Sequence, residues 1–247
     1  MTSDASPDAG ARGALIFGAR NLGRAIIEAL VARGWNVAGA ARSDETLASI
    51  TAAGALALRS DITDQAAVRA TVEEAAEALG IIDLVVNAAA AYGGARTGPF
   101  GGGPIAEAAP DAFDSWSVAP ARSAFAFLSG ASGAAALAQP ATVIQVTGGS
   151  SRRAMPGRGL WAAGAFGVRA ITQAAALELR DRGIHVALLI VDAGIEPYAG
   201  GGRPGVDPAA LADPRQVADA VVFLAEQGPR AATHELQVTP LAETWVP

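Results

Sequence analysis

Ala14-Leu15-Ile16-Phe17-Gly18-Ala19-Arg20-Asn21-Leu22-Gly23 is a four-residue apolar run that breaks into a turn bounded by two glycines. Residues 24–33 then follow a helical pattern, with Ile26, Ile27 and Leu30 on one face and Gly34 closing the segment. A short apolar strand that feeds a helix through a glycine turn is the first half of a strand–helix–strand unit. Such a turn lets the backbone approach a diphosphate closely, and the N–H groups at the helix start favour its charge. An ordinary strand-to-helix turn has the same appearance, so this stretch speaks to the fold before it speaks to a ligand.

Working outward, the alternation continues. Residues 36–41, 55–58, 83–86, 142–146, 184–191 and 235–238 read as strands. Residues 65–79, 111–139, 161–180 and 215–226 read as helices, with Pro120 expected to interrupt or kink the second of them. Strands that alternate with helices predict an α/β chain: a doubly wound parallel sheet of about seven strands, covered by helices on both faces. Residues 1–12 are expected to be a flexible polar tail and residues 13–247 a single Rossmann-like domain. Two glycine- and proline-rich stretches, 90–110 and 194–214, read as long loops of the kind that form lids or binding loops.

Composition narrows the function. The chain is 51% apolar and 17% charged, which is ample for a buried core. Its net charge of −6 disfavours a nucleic-acid or anionic-membrane surface, because phosphate binding needs clustered cations. There is no cysteine, hence no thiol nucleophile and no thiolate metal site. There is also no lysine: all 18 basic residues are arginine. No apolar run reaches the length of a membrane span, and a soluble cytoplasmic protein is expected. His185 and His234 sit in or near strands without metal-ligand spacing, so no metal is expected.

Ligands of open parallel sheets bind beyond the carboxyl ends of the strands. Arg42 follows the second strand, Ser60-Asp61-Ile62 the third and Asn87-Ala88-Ala89-Ala90 the fourth. With the Gly18–Gly23 turn, this layout resembles the short-chain dehydrogenase/reductase family from residue 14 to the last strand. The resemblance implies that Gly18 and Gly23 frame the diphosphate of a nicotinamide dinucleotide, with Asn21 and Leu22 of the same turn also at the cofactor and Arg20 assisting at a 2′-phosphate. It also implies that Asp61 and Ile62 meet the adenine, and that Asn87, Ala88 and Ala89 line the adenosine ribose. Members that prefer NAD place an acid after the second strand. Here Ala41-Arg42 occupies that place, and a guanidinium suits a 2′-phosphate, so NADP(H) is favoured over NAD(H). Read plainly, Arg42 is also simply a solvated surface residue. The turn departs from the family pattern in lacking its third glycine and one residue of length.

The resemblance is weakest where chemistry should occur. The family reaction uses a Tyr and, one helical turn later, a Lys that lowers the phenol's pKa. Trp161 and Ala165 stand at those places. Gly148 falls at the Ser position, Pro120 at the Asn position, and Val191-Asp192 where a Pro-Gly pair is usual. An indole N–H donates a hydrogen bond but is no acid near neutral pH. Tyr92, Thr147, Ser150 and Asp192 are the candidate substitutes, and each is also an ordinary loop or packing residue.

Three functions are compatible with this reading. One is an NADP(H)-dependent oxidoreductase for a small apolar carbonyl or enone, working without the Ser-Tyr-Lys mechanism. Another is a catalytically silent subunit or regulator. The third is a non-redox isomerase or lyase that reuses the pocket. By resemblance, the chain is expected to form a homodimer or homotetramer through the helices at 111–139 and 161–180, or a hetero-oligomer with an active relative.

Overall fold

The computed structural model describes residues 10–89 and 98–243. Strands β1 (Gly13–Phe17), β2 (Asn36–Ala41), β3 (Leu56–Arg59) and β4 (Ile82–Asn87) alternate with helices α1 (Leu22–Val31), α2 (Asp44–Ala52) and α3 (Gln65–Leu79). Helix α4 (Pro110–Phe113) leads through a π-helical turn at Asp114–Val118 into α5 (Ala119–Gly133). Then come β5 (Leu137–Gly148), α6 (Gly159–Glu178), β6 (Ile184–Val191), two short strands β7 (Gly194–Ile195) and β8 (Leu211–Ala212), α7 (Pro214–Ala225) and β9 (Glu235–Val238). The seven long strands form one parallel sheet in the order β3-β2-β1-β4-β5-β6-β9. The expected doubly wound α/β fold is therefore present.

Alternation along the strands builds a core on each face of the sheet. Ala14 and Ile16 of β1 pack with Ile26, Ile27 and Leu30 of α1 and Val217 and Val221 of α7. Leu15 and Phe17 point the other way, onto Val68 and Val72 of α3 and Phe127 of α5. These strands are buried on both faces, which is why they read as continuous apolar runs.

The structure refines these expectations. The helix expected over 111–139 ends at Gly133, and Leu137 already pairs with Ile82 in the sheet. The alanine-rich composition of 134–141 fits a helix, but the sheet offers β5 partners on both edges, and tertiary pairing outweighs propensity. The interruption expected near Pro120 is present: a π turn at Asp114–Val118 separates α4 from α5, and Pro120 takes the first turn of α5. Helix α2 was not anticipated, because Leu47 and Ile50 are the only large apolar side chains in it. Its signal is capping: Ser43 accepts from the Thr46 N–H, and Asp44 and Glu45 occupy the first turn. The loop 194–214 also holds the β7–β8 pair, so it is partly ordered.

At the sheet edge, Arg169 of α6 grips Glu235 of β9 with two hydrogen bonds of 2.7 and 2.8 Å, and Gln173 adds a third at 2.6 Å. The Arg169 bond is the main cause that holds the Glu235 carboxyl below its ordinary value of 4.5. A lowered carboxylate stabilises the fold fully above its unfolded-state value and loses that contribution as pH falls through the folded-state value. Glu235→Gln is expected to cost about 1.5 kcal/mol at neutral pH. It should also flatten the loss of melting temperature on acidification below the ordinary glutamate range, as seen in thermal melts across pH. An unchanged acid limb would show that the pair contributes nothing to stability.

Candidate active site

The sheet reverses winding direction between β1 and β4, and the crevice at a switch point of this kind is where such sheets bind ligands. The Gly18 N–H donates to Ala40 O at 3.1 Å and the Ala88 N–H to Phe17 O at 2.9 Å, so three strand ends are laced together there. Gly18 has φ +80°, and a Cβ on it would lie 2.4 Å from the Ala89 backbone. A Cβ on Gly23 would lie 2.5 Å from Gly18 O. Both glycines are therefore demanded by close backbone approach.

At the outer end of the crevice, Arg42 pairs with Asp61 at 3.7 Å, the guanidinium largely solvent-facing and the carboxylate half-buried. Asp61 caps its own turn by accepting from the Thr63 N–H at 3.0 Å and the Thr63 hydroxyl at 2.8 Å. The Thr63 backbone bond is the main cause that holds the Asp61 carboxyl below its usual range. Ile62 turns inward against the α3 face of the core.

The glycine turn carries an unexpected tie. Asn21 donates from Nδ2 to Glu196 O at 3.1 Å and accepts at Oδ1 from the Tyr198 N–H at 2.6 Å. The Tyr198 hydroxyl in turn bonds Glu28 of α1, and Arg215 stacks 4.6 Å from the Tyr198 ring centre. The residue that fills the place of a glycine thus fastens the 196–198 loop onto the turn. Arg20 is exposed and lines a separate depression with Arg24, Tyr198 and Arg203.

Inward from the turn lies a cavity of about 210 Å³. Leu22, Asn87, Ala88 and Ala89 form one wall, Pro120, Ser123 and Ala124 another, and Thr147, Gly148, Trp161 and Ala165 a third. Asn87 donates to Gln145 Oε1 at 2.9 Å and accepts from the Ala89 N–H at 3.0 Å, which turns both amides into a fixed floor. Among the described residues, no ionisable side chain lines this cavity.

Trp161 is locked by neighbours. Its ring lies 5.5 Å from that of Trp116 and 5.1 Å from that of Phe100, centre to centre. Gly164, on the same helix, packs so tightly on the π turn that a Cβ would lie 2.5 Å from Trp116 O. Gly148 runs beneath the indole, with the nearest Trp161 carbon 4.0 Å from where its Cβ would stand.

Of the candidate substitutes among the described residues, Thr147 alone lines the cavity. Ser150 lies in the 3₁₀ turn Gly149–Ser151, away from the cavity walls. Asp192 is buried behind that turn, where it accepts from Arg153 and from Gln237, both at 3.3 Å. Burial, with Glu243 adding, pushes its carboxyl above the usual range against the pull of Arg153. The place where Gly149 would carry a Cβ is 1.7 Å from the Asp192 carboxylate, so a side chain at 149 would require Asp192 to move. Tyr92 lies outside the described residues. His185 and His234 stack edge to face at 5.7 Å, each ring bonding a backbone carbonyl. Reading the sequence missed Gln145 and Ser123. The signals were a polar residue inside the apolar run of β5 and a serine one turn beyond Pro120.

No helix among the described residues is long and apolar enough to cross a membrane. No curated protein matches the chain. Several solved structures share the fold. A blue fluorescent protein from a metagenomic library, solved in complex with NADPH, is 25% identical with a TM-score of 0.74, over 93% of this chain and 96% of that one. A short-chain dehydrogenase/reductase from Serratia marcescens is 22% identical with a TM-score of 0.74, over 93% and 96%. An NADPH-bound short-chain oxidoreductase from Pseudomonas aeruginosa, described as containing an atypical catalytic center, is 22% identical with a TM-score of 0.75, over 95% and 98%. The family model described as enoyl-(acyl carrier protein) reductase matches residues 17–197, well over half of the sequence. With that match laid over the glycine turn, the strand order and the cavity beside them, the chain belongs to the short-chain dehydrogenase/reductase family.

Proposed function

We propose that this protein binds NADP(H) and acts as an oxidoreductase on a small apolar carbonyl or enone, without a tyrosine–lysine pair. One observation carries the reading: Trp161 and Ala165 line the cavity one helical turn apart, in a hollow where no described side chain ionises. The crevice fits a dinucleotide. The Gly18–Gly23 turn would face the diphosphate, Asp61 would meet the adenine with Ile62 behind it in the core, and Asn87-Ala88-Ala89 would line its ribose. The Arg42 guanidinium, whose present partner is the half-buried Asp61, would hold a 2′-phosphate. When bound, a nicotinamide supplies or accepts hydride.

The chain's own part is to bind, orient and exclude water. The apolar walls hold an aliphatic body, the Asn87–Gln145 floor fixes the depth of the hollow, and Trp161 offers a flat face. A proton reaches the substrate from the Thr147 hydroxyl, from Tyr92 or from water. Mixing the protein with NADPH and a panel of small ketones, aldehydes and enones tests this. Tight NADPH binding with no oxidation across the panel would discard the reductase reading in favour of a silent subunit. That second reading draws on exposed Phe125 of α5 and Phe166 and Leu177 of α6, which suit assembly with another copy or with an active relative.

Cofactor preference has its own test. Arg42→Ala is expected to weaken NADPH binding by roughly tenfold or more, the worth of a charge-assisted hydrogen bond, and to leave NADH binding unchanged. Equal losses for the two dinucleotides in titration calorimetry would remove Arg42 from the phosphate site.

A further inference from the structure

Hydroxyls on the helices of this protein commonly bond back to the carbonyl four residues earlier. Thr71 reaches Ala67 O at 2.7 Å, Ser132 reaches Leu128 O at 2.6 Å, and Thr172 reaches Val168 O at 2.8 Å. Ser123 of α5 does not. It is 2% exposed, and its Oγ is enclosed without a hydrogen-bond partner among the described residues. The residue lines the cavity beside Pro120, Ala124, Ala165 and Val168, an otherwise apolar corner.

A buried hydroxyl without a partner costs about 1–3 kcal/mol, and alanine is the better helix former. Helical backbone offers this oxygen an easy partner, and it makes no such bond although its residue borders the hollow. A turn of the Ser123 side chain about its Cα–Cβ bond would present the hydroxyl to what fills the cavity and give it a partner.

We infer that Ser123 is a ligand-binding residue whose hydroxyl bonds an oxygen of the molecule occupying the cavity. The ligand is an apolar body carrying one carbonyl or hydroxyl oxygen directed at α5. Two sources share that chemistry: a small carbonyl substrate, and a ribose hydroxyl of the dinucleotide. The first rests on the reductase reading above only in treating the cavity as the substrate site. Ala165, on the neighbouring wall, leaves the corner open where a longer side chain would fill it.

The test compares the full-length wild type with Ser123→Ala. Three probes are titrated by thermal melting and tryptophan fluorescence: cyclohexanone, its hydrocarbon counterpart methylenecyclohexane, and NADPH. Ser123→Ala is expected to melt no lower than the wild type when no probe is added, since it loses an unpaired hydroxyl. Cyclohexanone affinity should fall about tenfold while methylenecyclohexane affinity is unchanged, which identifies the substrate oxygen. A selective fall in NADPH affinity instead identifies the ribose. A wild type that binds cyclohexanone through Ser123 but not NADPH leaves the Ser123 assignment standing and removes only the cofactor reading. Wild-type affinity for both oxygen-bearing probes in the variant would overturn the inference. So would a lower melting point with equal losses for ketone and hydrocarbon, or a wild type that binds neither cyclohexanone nor NADPH.

Discussion

A Trp161→Tyr, Ala165→Lys double variant is expected to reduce small ketones with NADPH about a hundredfold faster than the wild-type chain, the lower end of what a placed general acid contributes. Both side chains line one cavity on the same face of α6, so a phenol and an ammonium there would lie one turn apart. The phenol ring is smaller than the indole and would occupy a slot already walled by Trp116 and Phe100. The ammonium would lower the phenol's pKa, and the phenolate would compensate an ammonium otherwise stranded among apolar walls. Each single variant should stay near the wild-type rate, because a lone phenol keeps a high pKa and a lone lysine has no acid to assist. Gly148 still lacks a hydroxyl, so the gain stops short of a complete site. The readout is loss of NADPH absorbance. A folded, NADPH-binding double variant with wild-type turnover would show that the missing pair is not what limits the chemistry.

The second large effect concerns the turn. Gly18→Ala is expected to lower stability by about 3 kcal/mol, combining left-handed backbone strain with overpacking. The new methyl would stand 2.4 Å from both Cα and N of Ala89, at φ +80°. NADPH affinity should fall roughly a hundredfold, because relieving the clash displaces the Ala88-Ala89 backbone that the adenosine would face. Gly34→Ala is the control. It has nearly the same φ, +77°, but nothing lies within 4 Å of its Cβ position. It should cost only about 1 kcal/mol and leave NADPH binding intact. Equal losses from the two alanines in chemical denaturation would mean that the close approach to Ala89 does not matter.

How much was legible follows from which interactions are local. The β1 strand, the turn and the α1 face could be read directly, since burial on both sides of a parallel sheet leaves a continuous apolar run. Trp161 and Ala165 could be paired through the family resemblance, and 3.6 residues per turn then puts them on one face. The end of α5 could not. The segment after Gly133 is alanine-rich, and only its pairing with β4 and β6 makes it a strand. Helix α2 hid for the opposite reason, because its buried face is only Thr46 and Ile50 and the rest is solvated.

Within the site, side-chain direction was the gap. Asp192 looked available beside Val191, yet successive residues leaving β6 point to opposite sides, and its carboxylate lies under Gly149 with Arg153. Asn21 looked like a filler in a glycine turn and proves to be the fastening of a loop 175 residues away in sequence. Ser123 was unremarkable in a run of small residues until its hydroxyl was seen to forgo its own helix.

By itself the sequence determined the layered α/β architecture, the glycine turn, the arginine after β2, and the absence of lysine and cysteine. Periodicity, composition and residue chemistry act over a few neighbours and survive without coordinates. Only the tertiary structure decided which polar groups face the cavity and which are turned away from it. That choice depends on contacts between segments far apart in the chain, and burial sets a cost on every hydroxyl or carboxylate left without a partner.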